Sequence, residues 1–450
     1  MEKNNGGIYD VKELGAGKTL VLGFQHVFAM FGATVLVPLL TGLDIATTLL
    51  MAGLGTLFFH LVTKRMVPAF LGSSFAFLAG YAAITTGADG VLDTAKLPYA
   101  CLGVAAAGLV YLILAGLIKA FGTKKVMRFF PPVVTGPIII AIGLGLAGSA
   151  VSNCQSNWLL AVIALVIVLI FNIWGKGMMK IIPILLGVLG ACLIAVILAL
   201  IWGKPTEDGA FIALGGNSNL SLFSASALEN LKSAKWIGLP IHWEKTVFGG
   251  VDWSNTSLII SAIVAIVPIS LATMMEHIGD ISAISSTVGK NFIEEPGLHR
   301  TLIGDGIATT IASLFGGPAN TTYGENTGVL ALSKVYDPKV VRIAAVIAVL
   351  LSFSPKFAAL VNVIPTAVIG GISFILYGMI SAIGVRNVVE NKVDFAKSRN
   401  LIVAAVILVS ALGLGSAATF TIGGMTISLT ALAVASILGI VLNAILPDKD

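Results

Sequence analysis

The stretch NTTYGENTGVLALSKV, residues 320–335, is made of two unlike parts. Val329–Leu332 is apolar and Lys334 closes the run, as at the end of a membrane span. Ahead of it stand Asn320, two threonines, Tyr323, Gly324, a carboxylate at Glu325 and Asn326. Apart from Glu325 these residues are poor helix formers, so the helix of this span should begin only part-way across. A helix that starts in mid-membrane leaves its first backbone N–H groups without intrahelical partners. Such donors, set beside carboxylate acceptors, suit a flat polar solute with alternating donors and acceptors.

The rest of the chain supplies the membrane. Of 450 residues, 57% are hydrophobic and 11% charged, a balance that would expose too much apolar surface to water. Unbroken apolar runs such as Trp158–Ile173 and Leu401–Leu414 exclude an outer-membrane barrel and leave an all-α polytopic membrane protein. Cys101, Cys154 and Cys192 sit singly, with no metal or redox spacing, so no metal or cofactor is expected. The polar first sixteen residues lack the apolar core of a removable signal peptide. The net charge of +5 reports orientation and calls for no nucleic acid.

At about twenty residues per crossing, the spans fall near 17–40, 45–63, 68–87, 98–120, 130–150, 157–175, 181–202, 257–280, 299–316, 320–335, 340–362, 364–382, 399–415 and 422–446. With the N-terminus cytoplasmic, the inner loops hold Lys64, Arg65, Lys119, Lys124, Lys125, Arg128, Lys176, Lys180, Lys290, Arg300, Lys334, Lys339, Arg342, Arg386, Lys392, Lys397 and Arg399. The outer side keeps Lys96, Lys356 and a few lysines between 203 and 256. Only an even number of spans preserves that bias through to Lys449, which places both termini in the cytoplasm of a cell carrying this multi-pass protein in its cytoplasmic membrane.

Residues 203–256 form the one long polar interruption, expected as an extracytoplasmic loop. It separates a first repeat, 14–202, from a second, 257–446, each with seven spans. An odd number reverses the chain, so the second repeat must be inverted, a transporter architecture. Weak internal echoes agree: PAFLGSSF from Pro68 aligns with PANTTYGE from Pro318, setting Phe75 opposite Glu325, and PPVVTGPI from Pro131 aligns with PTAVIGGI from Pro365.

Glu325 has counterparts. The run from Ser257, SLIISAIVAIVPISLATMMEHIGDISAISSTVG, carries Glu276, His277 and Asp280. Glu276 and Asp280, four apart, share one helix face. A charge at the bilayer centre costs about 2.5–3.5 kcal/mol on insertion scales, so these residues should face a wet cavity. Asp280 lies nearer the span's end, where a carboxylate can also simply reach the headgroups. His277 points elsewhere and reads as a packed, hydrogen-bonded histidine.

Taken together, these motifs resemble the nucleobase–ascorbate transporter family (nucleobase:cation symporter-2). Its motif, E/Q-N-x-G-x-x-x-x-T-K/R, runs here through Glu325, Asn326, Gly328, Ser333 and Lys334, with Ser in the usual Thr position. GFQHVFAMFGATVLVPLL (23–40), LGSSFAF (71–77) and MEHIGD (275–280) also match, so the similarity covers nearly the whole chain. The resemblance implies fourteen transmembrane segments in two inverted seven-segment repeats, with short strands opening segments 3 and 10. It implies a core domain (about 14–120 plus 257–362), a gate domain (about 126–202 plus 363–446) and a homodimer. Glu before Asn326 is similar to the uracil permease branch, where purine and xanthine carriers show Gln. Carried over by motif position, uracil would meet Phe75, Glu276, Gly324, Glu325, Tyr323 and Ala33. Proton coupling would fall to Glu276, Asp280, Tyr377 and Asn326. Asp280 stands where well-known uracil carriers have a histidine.

The expected activity is import of uracil with H⁺ by alternating access, and not an enzymatic reaction. No GxxxxGK[ST] phosphate loop points to ATP, and no HExxH or GxSxG to hydrolysis. A purine or xanthine permease of the same family is the nearest alternative. A fold-related anion exchanger is disfavoured by paired carboxylates that repel anions.

Overall fold

Prolines and glycines set where the apolar helices stop. The computed structural model describes residues 7–86, 92–414, 418–422 and 425–447, with 418–422 and 425–428 as backbone only. Lys449, the last residues of the third and thirteenth expected spans (87 and 415) and residues 423–424 of the fourteenth therefore lie outside the described residues. Helix α1 (Gly15–Thr41) ends at Gly42, whose left-handed backbone returns its N–H to the Pro38 carbonyl. Helix α2 (Ile45–Val62) starts at Asp44, which accepts a bond from the Thr47 amide. Strand β1 (Leu71–Ser73) leads into the short helix α3 (Leu78–Thr85). Then come α4 (Leu97–Phe121), the single turn α5 (Thr123–Met127), α6 (Pro132–Cys154), α7 (Trp158–Trp174) and α8 (Pro183–Trp202).

The 203–256 segment carries structure of its own. Strands β2 (Gly203–Pro205), β3 (Phe211–Leu214) and β4 (Ser221–Ser224) form one antiparallel sheet, followed by α9 (Ala225–Ser233) and α10 (Val247–Gly250).

The second half departs from the expected spans at three places. Its first span is two helices, α11 (Thr256–Ile266) and α12 (Ser270–Val288), joined by a 3₁₀ turn at Val267–Ile269. Pro268 has no amide to give and its ring crowds the preceding turn. Because α12 runs on to Val288, Asp280 lies mid-helix and not at a span end. Helix α13 (Leu298–Leu314), strand β5 (Asn320–Thr322) and α14 (Gly324–Ser333) follow. The eleventh span is bent by 90° between α15 (Pro338–Ser352) and α16 (Pro355–Asn362). Ser354, held extended ahead of a proline, caps the new helix through the Phe357 amide. After α17 (Thr366–Glu390) and α18 (Ser398–Gly413), strands β6 (Ala418–Ile422) and β7 (Met425–Leu429) pair as a hairpin. The last helix, α19 (Ala431–Ile445), therefore begins nine residues later than the expected 422.

Among the described residues, seven helical segments are long and apolar enough to cross a membrane, and eight if the bent pair counts as one. Shorter apolar helices at Trp158–Trp174, Ser398–Gly413 and Ala431–Ile445 stand beside them. The halves interleave: α17 packs along α6, α13 along α4 and α15 along α2.

At the centre of this weave, β1 and β5 pair antiparallel, with Gly72 opposite Thr321. Main-chain bonds from Ser74 N to Ala319 O (2.9 Å) and from Tyr323 N to Phe70 O (3.0 Å) extend the ladder. Flanking helices satisfy its remaining polar groups. Thr56 accepts from the Leu71 amide at 2.9 Å, Thr309 donates to Asn320 O at 2.8 Å, and Asn320 Nδ2 donates to Met51 O at 3.1 Å. Irregular backbone at membrane depth survives only with such partners.

Gly72 has no room for a side chain, because an added Cβ would run into the Tyr323 ring. Gly72→Ala is expected to push Tyr323 off the strand pair at a cost of about 1–3 kcal/mol. A fall in the melting temperature of the detergent-purified protein checks this; an unchanged melting curve would contradict it.

Candidate functional site

The strand pair sets two helix starts tip to tip. Helix α14 opens at Gly324 without a side-chain cap, after an extended Tyr323. Helix α3 opens in the same uncapped way, with Phe75 in the turn before it. The first amides of a helix have no partner within it, although at α3 the Leu78 amide turns back to Phe75 O at 3.1 Å. Gly324 is exposed, and a Cβ placed on it would stand 3.9 Å from Asp280 Oδ1.

Helix α12 brings its acidic face to the same point. Glu276, Asp280 and Glu325 are half-buried and lie within electrostatic reach of one another, although about fifty residues of chain separate α12's pair from Glu325. Asp280 Oδ2 accepts a hydrogen bond from Thr322 Oγ1 at 2.9 Å, tying α12 to β5. The Phe75 ring, nearly buried, meets the edge of Tyr377 on α17 with centroids 6.2 Å apart.

Other candidates are committed elsewhere. Tyr323 turns its ring inward, where its hydroxyl bonds Ser73 O (3.1 Å) and sits 3.2 Å from both Ser73 Oγ and Thr34 Oγ1. Ala33 is buried behind this latch, its carbonyl accepting from Ser73 Oγ at 3.3 Å. Asn326 Nδ2 donates to His26 O at 3.1 Å and approaches His26 Nδ1 at 3.0 Å, so it locks α14 to α1.

One group was missed. Asp305 on α13 is 0% exposed and its Oδ2 lies 3.1 Å from Nδ1 of the equally buried His277. His277 Nδ1 is also 3.4 Å from Thr322 Oγ1, so Asp280, Thr322, His277 and Asp305 form one continuous polar chain. A signal existed: Asp305 is the only charged residue between Arg300 and Glu325. Glu325 is thus not the only intramembrane carboxylate outside α12. Among the described residues no cluster of His, Cys, Asp and Glu could hold a metal ion.

Residues 17–422 match the model of the Permease family, Xan_ur_permease. The chain belongs to this family, the nucleobase–ascorbate transporters. Relatives of this family include a uracil permease of Bacillus caldolyticus, 40% identical over 96% of this chain and 93% of its own length. The uracil permease of Bacillus subtilis strain 168 is 39% identical over 94% and 91%. The putative pyrimidine permease RutG of Escherichia coli K12 is 38% identical over 96% and 90%. Relatives named permeases are transporters, not enzymes. The transmembrane domain of the cyanobacterial bicarbonate transporter BicA superposes with a TM-score of 0.64 at 16% identity, over 96% of this chain and 99% of that one. SLC26A9 does so at 0.62 and 12% identity, over 97% of this chain and 66% of that one. The nucleobase–ascorbate transporter described here is a mostly helical, multi-pass membrane protein with the fold of those carriers.

Replacing one member of a buried pair strands the other. Asp305→Ala should cost about 3–5 kcal/mol, read as loss of folded protein in size-exclusion profiles and melting curves. Asn326→Ala, which leaves His26 without its partner, should cost about 1–3 kcal/mol.

Proposed function

We propose that this chain imports uracil together with protons by alternating access. The observation that carries the reading is the meeting of Glu276, Asp280 and Glu325 with the open amides at the starts of α3 and α14. Uracil is neutral and planar, with two ring N–H donors and two carbonyl acceptors. Glu276 and Glu325 accept from the N–H groups; the Phe75 and Gly324 amides donate to the carbonyls. Tyr323 and Ala33 fix these contacts from behind. Relatives named uracil permeases at about 40% identity support the choice of base.

Three carboxylates facing one space repel one another, and a proton taken up with the substrate relieves that repulsion. Asp280 is the proposed carrier, since Thr322 holds it beside Glu276 without neutralising it. Tyr377 and Asn326 assist by fixing Phe75 and α14. The proposed architecture is fourteen segments in two inverted seven-segment repeats, with residues 14–120 plus 257–362 as a moving core and 126–202 plus 363–446 as a gate. The chain is proposed to work as a homodimer in the cytoplasmic membrane, both termini inside.

Labelled uracil uptake into proteoliposomes, with and without a pH gradient, tests the reading. Gradient-driven accumulation that unlabelled uracil competes away better than xanthine is the expected outcome. Accumulation without a gradient would sink the coupling, and stronger competition by xanthine would sink the substrate. Glu276→Gln and Glu325→Gln should each abolish uracil-driven proton uptake. Asp280→Asn should keep uracil binding but flatten the pH profile of transport.

A further inference from the structure

Four cations between α4 and α6 stand without counterions. Lys119 lies in the last turn of α4, Lys124 and Lys125 on α5, and Arg128 at its end, all exposed. Among the described residues none of the four makes an ion pair, whereas Lys96, Lys245, Lys339 and Arg386 each have an acidic partner. Glu294 and Glu295, on the turn before α13, pair with none of them. Val126 docks α5 into the same apolar cluster as Ile118 and Leu298, so the patch sits where α4 ends and α13 begins. His299 there feels the charges of Arg300 and Lys119.

An apolar ridge runs straight into this patch. Leu109, Ile113, Leu117 and Phe121 recur every four residues along α4 and are 42–64% exposed. Beside them Gly116 is open, with nothing within 4 Å of where its Cβ would stand. From Leu109 to Phe121 the ridge spans about 18 Å of helix, against about 15 Å for half a bilayer's hydrocarbon core. A face bathed in water would not line up four large apolar side chains. An apolar tail's length of ridge ending in unneutralised cations fits a molecule with an acyl chain and an anionic head.

We propose that α4 and α5 hold one anionic phospholipid. Its acyl chain lies along Leu109, Ile113, Leu117 and Phe121, and its phosphate takes charge-assisted bonds from Lys119, Lys124, Lys125 and Arg128. The lipid would thus sit on the link that joins α4 to α6.

Native mass spectrometry of the full chain in detergent, titrated with phosphatidylglycerol or with phosphatidylcholine of the same acyl chains, tests this. Wild type should retain phosphatidylglycerol in preference to phosphatidylcholine. A variant carrying K119Q, K124Q, K125Q and R128Q should lose that preference by about tenfold or more, while a K176Q/K180Q variant keeps it. A matched melting temperature checks that the quadruple variant is folded; should it not fold, K124Q/K125Q, at two exposed positions, must show a smaller loss in the same direction. Equal retention of both lipids by wild type, or undiminished phosphatidylglycerol on the folded variant, overturns the proposal. So does a dimer peak that the variant abolishes with its lipid adducts unchanged, which would give this face to a second copy. These readouts need no transport, so they stand or fall apart from the reading of uracil import.

Discussion

Everything at the centre of this molecule answers to one constraint: main-chain polar groups placed at membrane depth must find partners. Strands β1 and β5 meet it by bonding each other, since an extended strand cannot bond its own main chain. The ladder is finished from the sides by bonds to Thr56 and Met51 on α2 and to Thr309 on α13, which fasten two helices to the pair. Helices α3 and α14 begin where that ladder ends, and neither has a side-chain cap.

The latch formed by Tyr323 shows how that economy shapes chemistry. Its ring fills the space that Gly72 leaves, and its hydroxyl is used on Ser73 and Thr34. The carboxylates, by contrast, keep lone pairs to spare. Asp280 has one oxygen on Thr322, and Glu276 and Glu325 are half-buried. BicA shares the frame with little sequence in common, so the frame carries no substrate of its own.

The sequence was legible where local chemistry decides. Apolar runs announced the membrane, polar and glycine-rich starts marked where α3 and α14 begin, and four-residue spacing put Glu276 and Asp280 on one face. Distant pairings were not legible. Asp305 stood out as a lone charge, but nothing in the string ties it to His277. The inward turn of Tyr323 follows from the register of β1 on β5, which neither segment encodes alone. The bend at Pro355 was visible as a proline, yet proline is compatible with a kink or a stop, and only the Ser354 cap turns it into a corner. The hairpin before α19 is apolar enough to pass for the opening of a helix.

The amino-terminal segment is joined to a distant part of the chain. Ile8 N bonds Lys334 O at 2.8 Å and Tyr336 N bonds Ile8 O at 2.7 Å, while Val11 N reaches Asp337 at 3.1 Å. Tyr9 donates to Val288 O at 2.7 Å, with Lys290 over its ring. During synthesis, then, Val11 must wait for Asp337, 326 residues further along, before its partner exists. Anything that displaces Ile8 or Val11 therefore loosens the turn between α14 and α15 as well.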